Sequence, residues 1–318
     1  MKSEDLQQIL AEVKVVLAAD PSATFAIVGL TPEAFDIRAS FHSMLAGDRC
    51  LGIYDAHYSN RTDGCKHVGE LTKAAPTLVV LASDESKESL IETILPFISA
   101  KTRIIMGGYG HFAFRHPVYD RITSNPLVPS LANGYPNSLI HLFQCLQNAA
   151  RLGLKGVVVE FGMFKGGTTA LLAQFAKALR QDWRVIGFDT FAGFPARRSP
   201  LDMYSHPDCV YPHLAAVRSY VEPLGVEVVA GDVVETAKRL AAEQIVLAFV
   251  DTDNFSSANA ILDVIQDRVV RGGAIVFDHF AGRNRHLYTL GERMAAKRLL
   301  NDPHYFNLHD TGVFLKQQ

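Results

Sequence analysis

Gly156–Thr169 reads GVVVEFGMFKGGTT. Three valines run into Glu160, and Gly162, Gly166 and Gly167 follow before a pair of threonines. A β-branched run without alternation is the pattern of a strand covered on both faces in a parallel sheet. The glycines permit a tight turn and a close approach of backbone to a ligand. Thr168 is a helix-capping residue type, and TTALLAQFAKALRQ then carries apolar residues at helical spacing. Strand, glycine loop and helix in succession form a unit that binds nucleotide-like cofactors at the carboxyl edge of a sheet.

Downstream, the same alternation continues. DWRVIGFDTFAGF (182–194) contains a second buried strand ending at Asp189, where a carboxylate can accept both hydroxyls of a ribose. Residues 195–213, PARRSPLDMYSHPDCVYPH, form a polar insertion with the character of a lid. A helix around HLAAVRSYVEPL precedes VEVVAGDV, a third strand ending in Gly231-Asp232. QIVLAFVDTDN is a fourth strand delivering Asp251 and Asp253, and the helix SSANAILDVIQDRVV leads to GGAIVFDHF, a fifth strand delivering Asp278 and His279. The tail HYFNLHDTGVFLKQQ holds two strand-like runs around Asp310-Thr311-Gly312, a hairpin signal. Glu160, Asp189, Asp232, Asp251 and Asp278 thus fall at successive strand ends, although an acid there is also a helix-cap type. For Asp251 the cap of the following helix is the structural alternative.

Upstream, the first residues place Leu6, Ile9, Leu10, Val13, Val16 and Leu17 on one helical stripe. TFAIVGL, RCLGIYDA, PTLVVLASD and KTRIIMGGYG read as four strands alternating with the helices TPEAFDIRASFHSML and ESKESLIETILPFIS. This predicts a small parallel α/β domain over residues 1–110. Its glycine fingerprint is missing: Gly29-Leu30-Thr31-Pro32 follows the first strand, and Pro32 removes an amide that a pyrophosphate would use. Asp55 ends the second strand, but one acid without the loop points to a scaffold, for dimerisation or for framing a pocket, more than to cofactor binding. Residues 111–137 read as a linker or lid continuous with Gly107–Gly110, carrying Tyr109, His111, His116, Tyr119 and Tyr135, which suit a substrate wall or simple packing. SLIHLFQCLQNAARLGLKG, a helix closed by Gly153 or Gly156, opens a second domain over 138–318.

The 318 residues accommodate two domains, and 48% hydrophobic with 20% charged content suits a chain that buries a large core. A formal net charge of −2 gives no reason to expect nucleic acid or an anionic membrane as partner. The four cysteines lack CxxC or ligand-like spacing and read as reduced thiols of a cytoplasmic protein. The charged amphipathic start is no signal peptide, and no apolar run reaches the roughly 20 residues that span a bilayer.

VEFGMFKGGTT, FDTFAGFP, the Gly-Asp after the third strand, VDTDNF and GGAIVFDHF together resemble the S-adenosylmethionine-dependent macrocin O-methyltransferase family, over roughly Tyr135 to the C-terminus. The resemblance implies a Rossmann-like class I methyltransferase sheet ending in an antiparallel hairpin. It implies methylation of a hydroxyl on a secondary metabolite or sugar. Glu160, Gly162 and the backbone at Gly166, Gly167 and Thr168 would hold the methionine part of S-adenosylmethionine, Asp189 the ribose hydroxyls, Asp232 would lie against the adenine, and Lys165 and Thr190 would belong to the same cofactor site. Asp251 and Asp278 match a divalent-metal site, and His279 replaces the second acid of a pair. Magnesium prefers oxygen ligands, whereas an imidazole suits manganese, iron, zinc or nickel better. His279 is alternatively a general base. His279 and Asp251 are therefore the expected catalytic residues, with His206, His213 and Tyr135 as lesser contributors. Rival readings are an NAD-type oxidoreductase, disfavoured by the glycine placement, and a non-catalytic cofactor-binding scaffold. A small-molecule acceptor and a homodimer complete the expectations.

Overall fold

The computed structural model describes residues 2–42, 47–57, 64–282 and 287–318. The end of the predicted helix TPEAFDIRASFHSML lies outside the described residues. The chain divides into two compact units, residues 1–114 and 115–318.

The first unit is a five-stranded parallel sheet. Its strands are β1 (Phe25–Val28), β2 (Cys50–Asp55), β3 (Cys65–His67), β4 (Leu78–Leu81) and β5 (Arg103–Ile105), in the order β3-β2-β1-β4-β5. Alternation along β1 divides the core. Phe25 and Ile27 pack with Val13, Leu17, Ile37 and Phe41 of the helices Ser3–Ala19 and Pro32–His42, whereas Ala26 and Val28 face Val79, Leu81 and Ile94. Both faces are covered, which is why β1 and β4 read as unbroken apolar runs. The strand β3 is an addition to the four expected: it is short, only Cys65 is buried, and its backbone pairing with β2 needs no apolar signal. The two oxygens of Asp55 accept the amides of Leu30 (2.9 Å) and His57 (2.8 Å), so this strand-end acid is taken up by its own loops.

The second unit is a seven-stranded sheet of β6 (Val157–Phe161), β7 (Arg184–Asp189), β8 (Val226–Ala230), β9 (Ile245–Val250), β10 (Val269–Phe277), β11 (Tyr305–Asn307) and β12 (Val313–Lys316). The order is β11-β12-β10-β9-β6-β7-β8, with β12 antiparallel to both of its neighbours and the remaining pairs parallel. This is the class I methyltransferase topology that the motifs imply. Strand order reverses between β6 and β9, so the crevice for a ligand opens beyond their carboxyl ends. All residues of β6 and β9 are buried, as expected for central strands. Two expectations change. Val269 and Val270 begin β10 and are not the end of the preceding helix, which runs Phe255–Ile265; the strand register shifts between Val269 and Ala274, where Gly272 takes φ +85°. A helix, Leu290–Leu300, lies between β10 and β11 where none was expected; Ala295, Ala296 and Leu299 are its buried apolar face.

Candidate active site

A cavity of about 570 Å³ opens over the carboxyl ends of β6, β7, β9 and β10, within the usual size of a small-molecule site. It is lined by Glu160, Gly162, Lys165, Gly167, Thr168, Asp189, Thr190, Asp251, Asp278 and His279 of the predicted set, joined by Asp253. Gly166 and Asp232 are not among the lining residues.

The glycine loop fits because nothing larger would. Gly162 takes φ +90°, and a Cβ there would lie 1.9 Å from the carbonyl oxygen of Asp251. Gly166 takes φ +80° and caps the helix Gly167–Ala178 through its backbone, without a side-chain cap. The expected capping role of Thr168 is thereby corrected: its hydroxyl lies 2.8 Å from that of Ser130, and the Thr169 hydroxyl donates to Glu160. Glu160 is 1% exposed. Burial pushes its carboxyl up to about 8, the Thr169 hydroxyl pulling the other way. Lys165 sits over the rings of Phe164 and Tyr211, 4.9 and 5.1 Å from their centroids, which places a cation at the cavity wall.

Asp189 holds the loop as well as facing the cavity. Its oxygens accept the amides of Phe164 (2.8 Å) and Phe191 (2.7 Å). Burial raises its pKa, and those amides oppose the rise. The Thr190 hydroxyl donates to Gly193 O (2.6 Å) and closes its own turn. Asp232, expected against the adenine, caps the short helix Val233–Thr236 through Val234 N (3.0 Å) and pairs with Arg198 (2.7 Å). An Asp one residue past a glycine turn serves the helix behind it, and Val233 is the residue that reaches the cavity.

The strand ends of β9 and β10 converge. His279 Nε2 lies 2.9 Å from Asp253 Oδ1, 3.3 Å from Asp251 Oδ1 and 3.7 Å from Asp278 Oδ2. Asp251, Asp278 and His279 each offer a ligand atom, all within 4.8 Å of one another. Octahedral coordination with bonds of about 2.1 Å puts neighbouring donors about 3.0 Å and opposite donors about 4.2 Å apart; the 3.3 and 3.7 Å separations of His279 Nε2 from Asp251 and Asp278 fall in that range, and mixed oxygen and nitrogen donors suit a divalent cation. Burial and the neighbouring Asp278 carboxylate raise Asp251 well above the ordinary range. Burial would lower His279, but hydrogen bonds to Asp251 and Asp253 raise it to about 12. The helix-cap alternative for Asp251 falls away. Asn254 occupies the cap position of Phe255–Ile265, and the free amide of Ser256 is satisfied by Asp202 Oδ1 at 2.8 Å.

Several residues that hold this cluster carry no motif. Glu292, fully buried on the unexpected helix Leu290–Leu300, accepts the amides of Thr252 (2.9 Å), Asp253 (3.0 Å) and His279 (2.9 Å). Burial pushes its carboxyl up to about 7. It ties together the two loops that bear the acids. Ser138 and Gly134 donate to Asp278 Oδ1, the amide at 2.8 Å. The helical spacing of Gly291, Ala295, Ala296 and Leu299 in LGERMAAKRLL is the sequence signal that exposes the helix and hence Glu292; nothing local marks Ser138.

The expected lids contribute differently from one another. From the earlier segment, Val128, Pro129, Leu131 and Asn133 line the cavity, whereas none of its histidines and tyrosines do. His116 and Tyr119 pack on Phe143, with Tyr119 also stacked on Phe175, and His111 Nδ1 lies 3.3 Å from Lys87 Nζ. From 195–213, Pro195, Tyr204, His206, Asp208 and Cys209 line the cavity, while Arg197, Arg198 and His213 do not. This segment is anchored: Asn254 exchanges two hydrogen bonds with the backbone of Tyr204 (2.9 and 3.0 Å), and Asp202 accepts the amides of Arg198 and Ser199.

Residues 134–317 match the family Macrocin-O-methyltransferase (TylF). The O-methyltransferase NovP is similar in structure, 18% identical over 57% of this chain and 79% of its own, with a TM-score of 0.46. CalS11, a calicheamicin methyltransferase, is 22% identical over 65% of this chain and 95% of its own, also at 0.46. The SAH-bound Podospora anserina methyltransferase PaMTH1 is 14% identical over 65% of this chain and 98% of its own, at 0.38. No curated protein matches the sequence. By the match over most of its second unit, the chain belongs to the macrocin O-methyltransferase family and is an S-adenosylmethionine-dependent O-methyltransferase.

Proposed function

We propose that the acceptor is a hydroxyl group on a sugar or other secondary metabolite, and that transfer is assisted by a divalent cation. One observation carries the reading: Glu160, Asp189 and the Asp251–Asp253–Asp278–His279 cluster face one cavity at the reversal point of the sheet. Bound S-adenosylmethionine supplies an electrophilic methyl group on its cationic sulfur. Glu160 faces the amino end of that cofactor, Asp189 its ribose hydroxyls, and the glycine loop lets the backbone approach closely. Asp232 keeps its capping role and acts on the cofactor only through the turn that it holds.

Asp251, Asp278 and His279 are the residues that would hold the cation, which lowers the proton affinity of an acceptor hydroxyl by Lewis acidity. Asp253, which lines the same cavity and is not one of those three ligands, is placed to take the acceptor proton. The anchored wall at Tyr204 fixes the acceptor in line with the methyl group and excludes water, since displacement needs the three atoms aligned. The first unit serves as a scaffold, with dimerisation as its proposed role; light scattering of the full chain against residues 115–318 alone tests that role.

The test is calorimetric titration with S-adenosylmethionine, then transfer of a tritiated methyl group to hydroxylated sugars and macrolides with and without chelator. Saturable binding and chelator-sensitive transfer are expected. Binding of NAD in place of S-adenosylmethionine refutes the reading, and transfer indifferent to chelator refutes its metal component.

A further inference from the structure

We propose that the ion held by Asp251, Asp278 and His279 is a first-row transition-metal dication, of the manganese-to-zinc series, and not magnesium. The inference rests on the metal component of the proposed function and narrows it.

The imidazole cannot stand aside. Its Nε2 faces Asp251, Asp253 and Asp278 together, at 3.3, 2.9 and 3.7 Å, so any ion among those oxygens meets the nitrogen. The other ring nitrogen, Nδ1, is buried with no hydrogen-bond partner among the described residues. All polar contacts of the ring are therefore on the side of the acids, and no competing contact turns it away. Its backbone is fixed at both ends of the turn: Asp278 N donates to Val250 O (3.0 Å), and His279 N donates to Glu292 (2.9 Å). The ring is 13% exposed, which leaves little room to swing into solvent.

Magnesium demands near-ideal octahedral oxygen coordination and gives up its waters reluctantly. A nitrogen forced into its shell replaces a water with a poorer ligand. Ions of the manganese-to-zinc series gain from the same substitution, in rising order along the series up to copper. Two or three carboxylates keep the donor set hard enough for manganese and iron, so the discrimination is against magnesium before it is among the transition metals.

The experiment titrates the chelator-stripped full-length protein separately with Mg2+, Mn2+ and Co2+ chlorides in a calorimeter, and records the visible absorption of the Co2+ complex. Mn2+ and Co2+ are expected to bind at least about tenfold more tightly than Mg2+, since an imidazole donor suits the transition metals and carboxylates alone suit magnesium. His279→Asp, with circular dichroism confirming its fold, should shrink that ratio and shift the Co2+ bands. Mg2+ binding as tightly as Mn2+ in the unmodified protein overturns the inference while leaving a metal site in place. An unchanged ratio in a folded His279→Asp protein overturns it too. If none of the three ions binds, both the inference and the metal component fall, while methyl transfer stands.

Discussion

Replacing Glu160 by glutamine tests the electrostatic logic of the cofactor site. Glu160 is 1% exposed, and burial pushes its carboxyl up to about 8. In the ligand-free protein the group is therefore mostly protonated at pH 6 and at pH 7. An ammonium group docking beside it favours the ionised form, so the folded pKa falls on binding and a proton is released. The sign follows: cofactor affinity rises with pH below about 8 and falls as the medium becomes more acidic. With a free-state value near 8, the ionised fraction rises about tenfold from pH 6 to pH 7. Affinity should rise by the same factor, about 1.4 kcal/mol. Staying at or below pH 7 keeps the α-amino group of the cofactor charged, since such amines titrate at about 7.7–8.0. The assay is calorimetry with S-adenosylmethionine at pH 6.0, 6.5 and 7.0, in buffers of different ionisation enthalpy so that the released proton is counted. Glu160→Gln should bind with an affinity flat within about twofold over this range, because no carboxyl remains to ionise. A flat profile in the unmodified protein, or a slope that survives in Glu160→Gln, would refute the assignment of Glu160 to the cationic end of the cofactor.

Three further outcomes follow from the geometry. Gly162→Ala places a Cβ 1.9 Å from Asp251 O at φ +90°; thermal denaturation should show a loss of about 3 kcal/mol or more, with cofactor affinity falling alongside. Glu292→Gln turns an amide NH2 group against backbone amides now accepted by its oxygens; urea denaturation should show about 2 kcal/mol of destabilisation, and divalent-ion affinity should drop, since both acid-bearing loops lose their common anchor. Asp232→Ala removes a cap and an exposed ion pair; it should destabilise by about 1 kcal/mol yet change S-adenosylmethionine affinity less than about threefold. A large affinity loss without destabilisation would return Asp232 to the cofactor.

Much of the second unit is legible because parallel strands buried on both faces announce themselves as apolar runs, and because the residue after each run must stand at the carboxyl edge. The uninterrupted VVV before Glu160 and the IVLAFV before Asp251 therefore place chemistry as well as strands. The spacing that brings Asp251 and Asp278 to one edge needs no knowledge of side-chain geometry. Asp232 shows the limit of that reasoning. It occupies an equivalent strand-end position, but the direction of its carboxylate depends on the turn, and the turn aims it at Val234 N and Arg198.

By itself, then, the sequence determined two α/β units, the glycine loop, the strand-end acids and the family. These follow from periodicity, local backbone demands and short motifs, all of which act between near neighbours along the chain. Only the tertiary structure decided that β12 lies between β10 and β11, because pairing order depends on which exposed edge the tail meets and not on the tail's own pattern. It alone decided that His279 faces three aspartates and that Glu292 holds their loops together. The Glu292 contacts join residues 13 to 40 positions apart, and no local propensity encodes a meeting of buried polar groups. The stretch that opens the second unit, GVVVEFGMFKGGTT, has both origins: its strand and loop are local, while the raised proton affinity of Glu160 belongs to the fold that buries it.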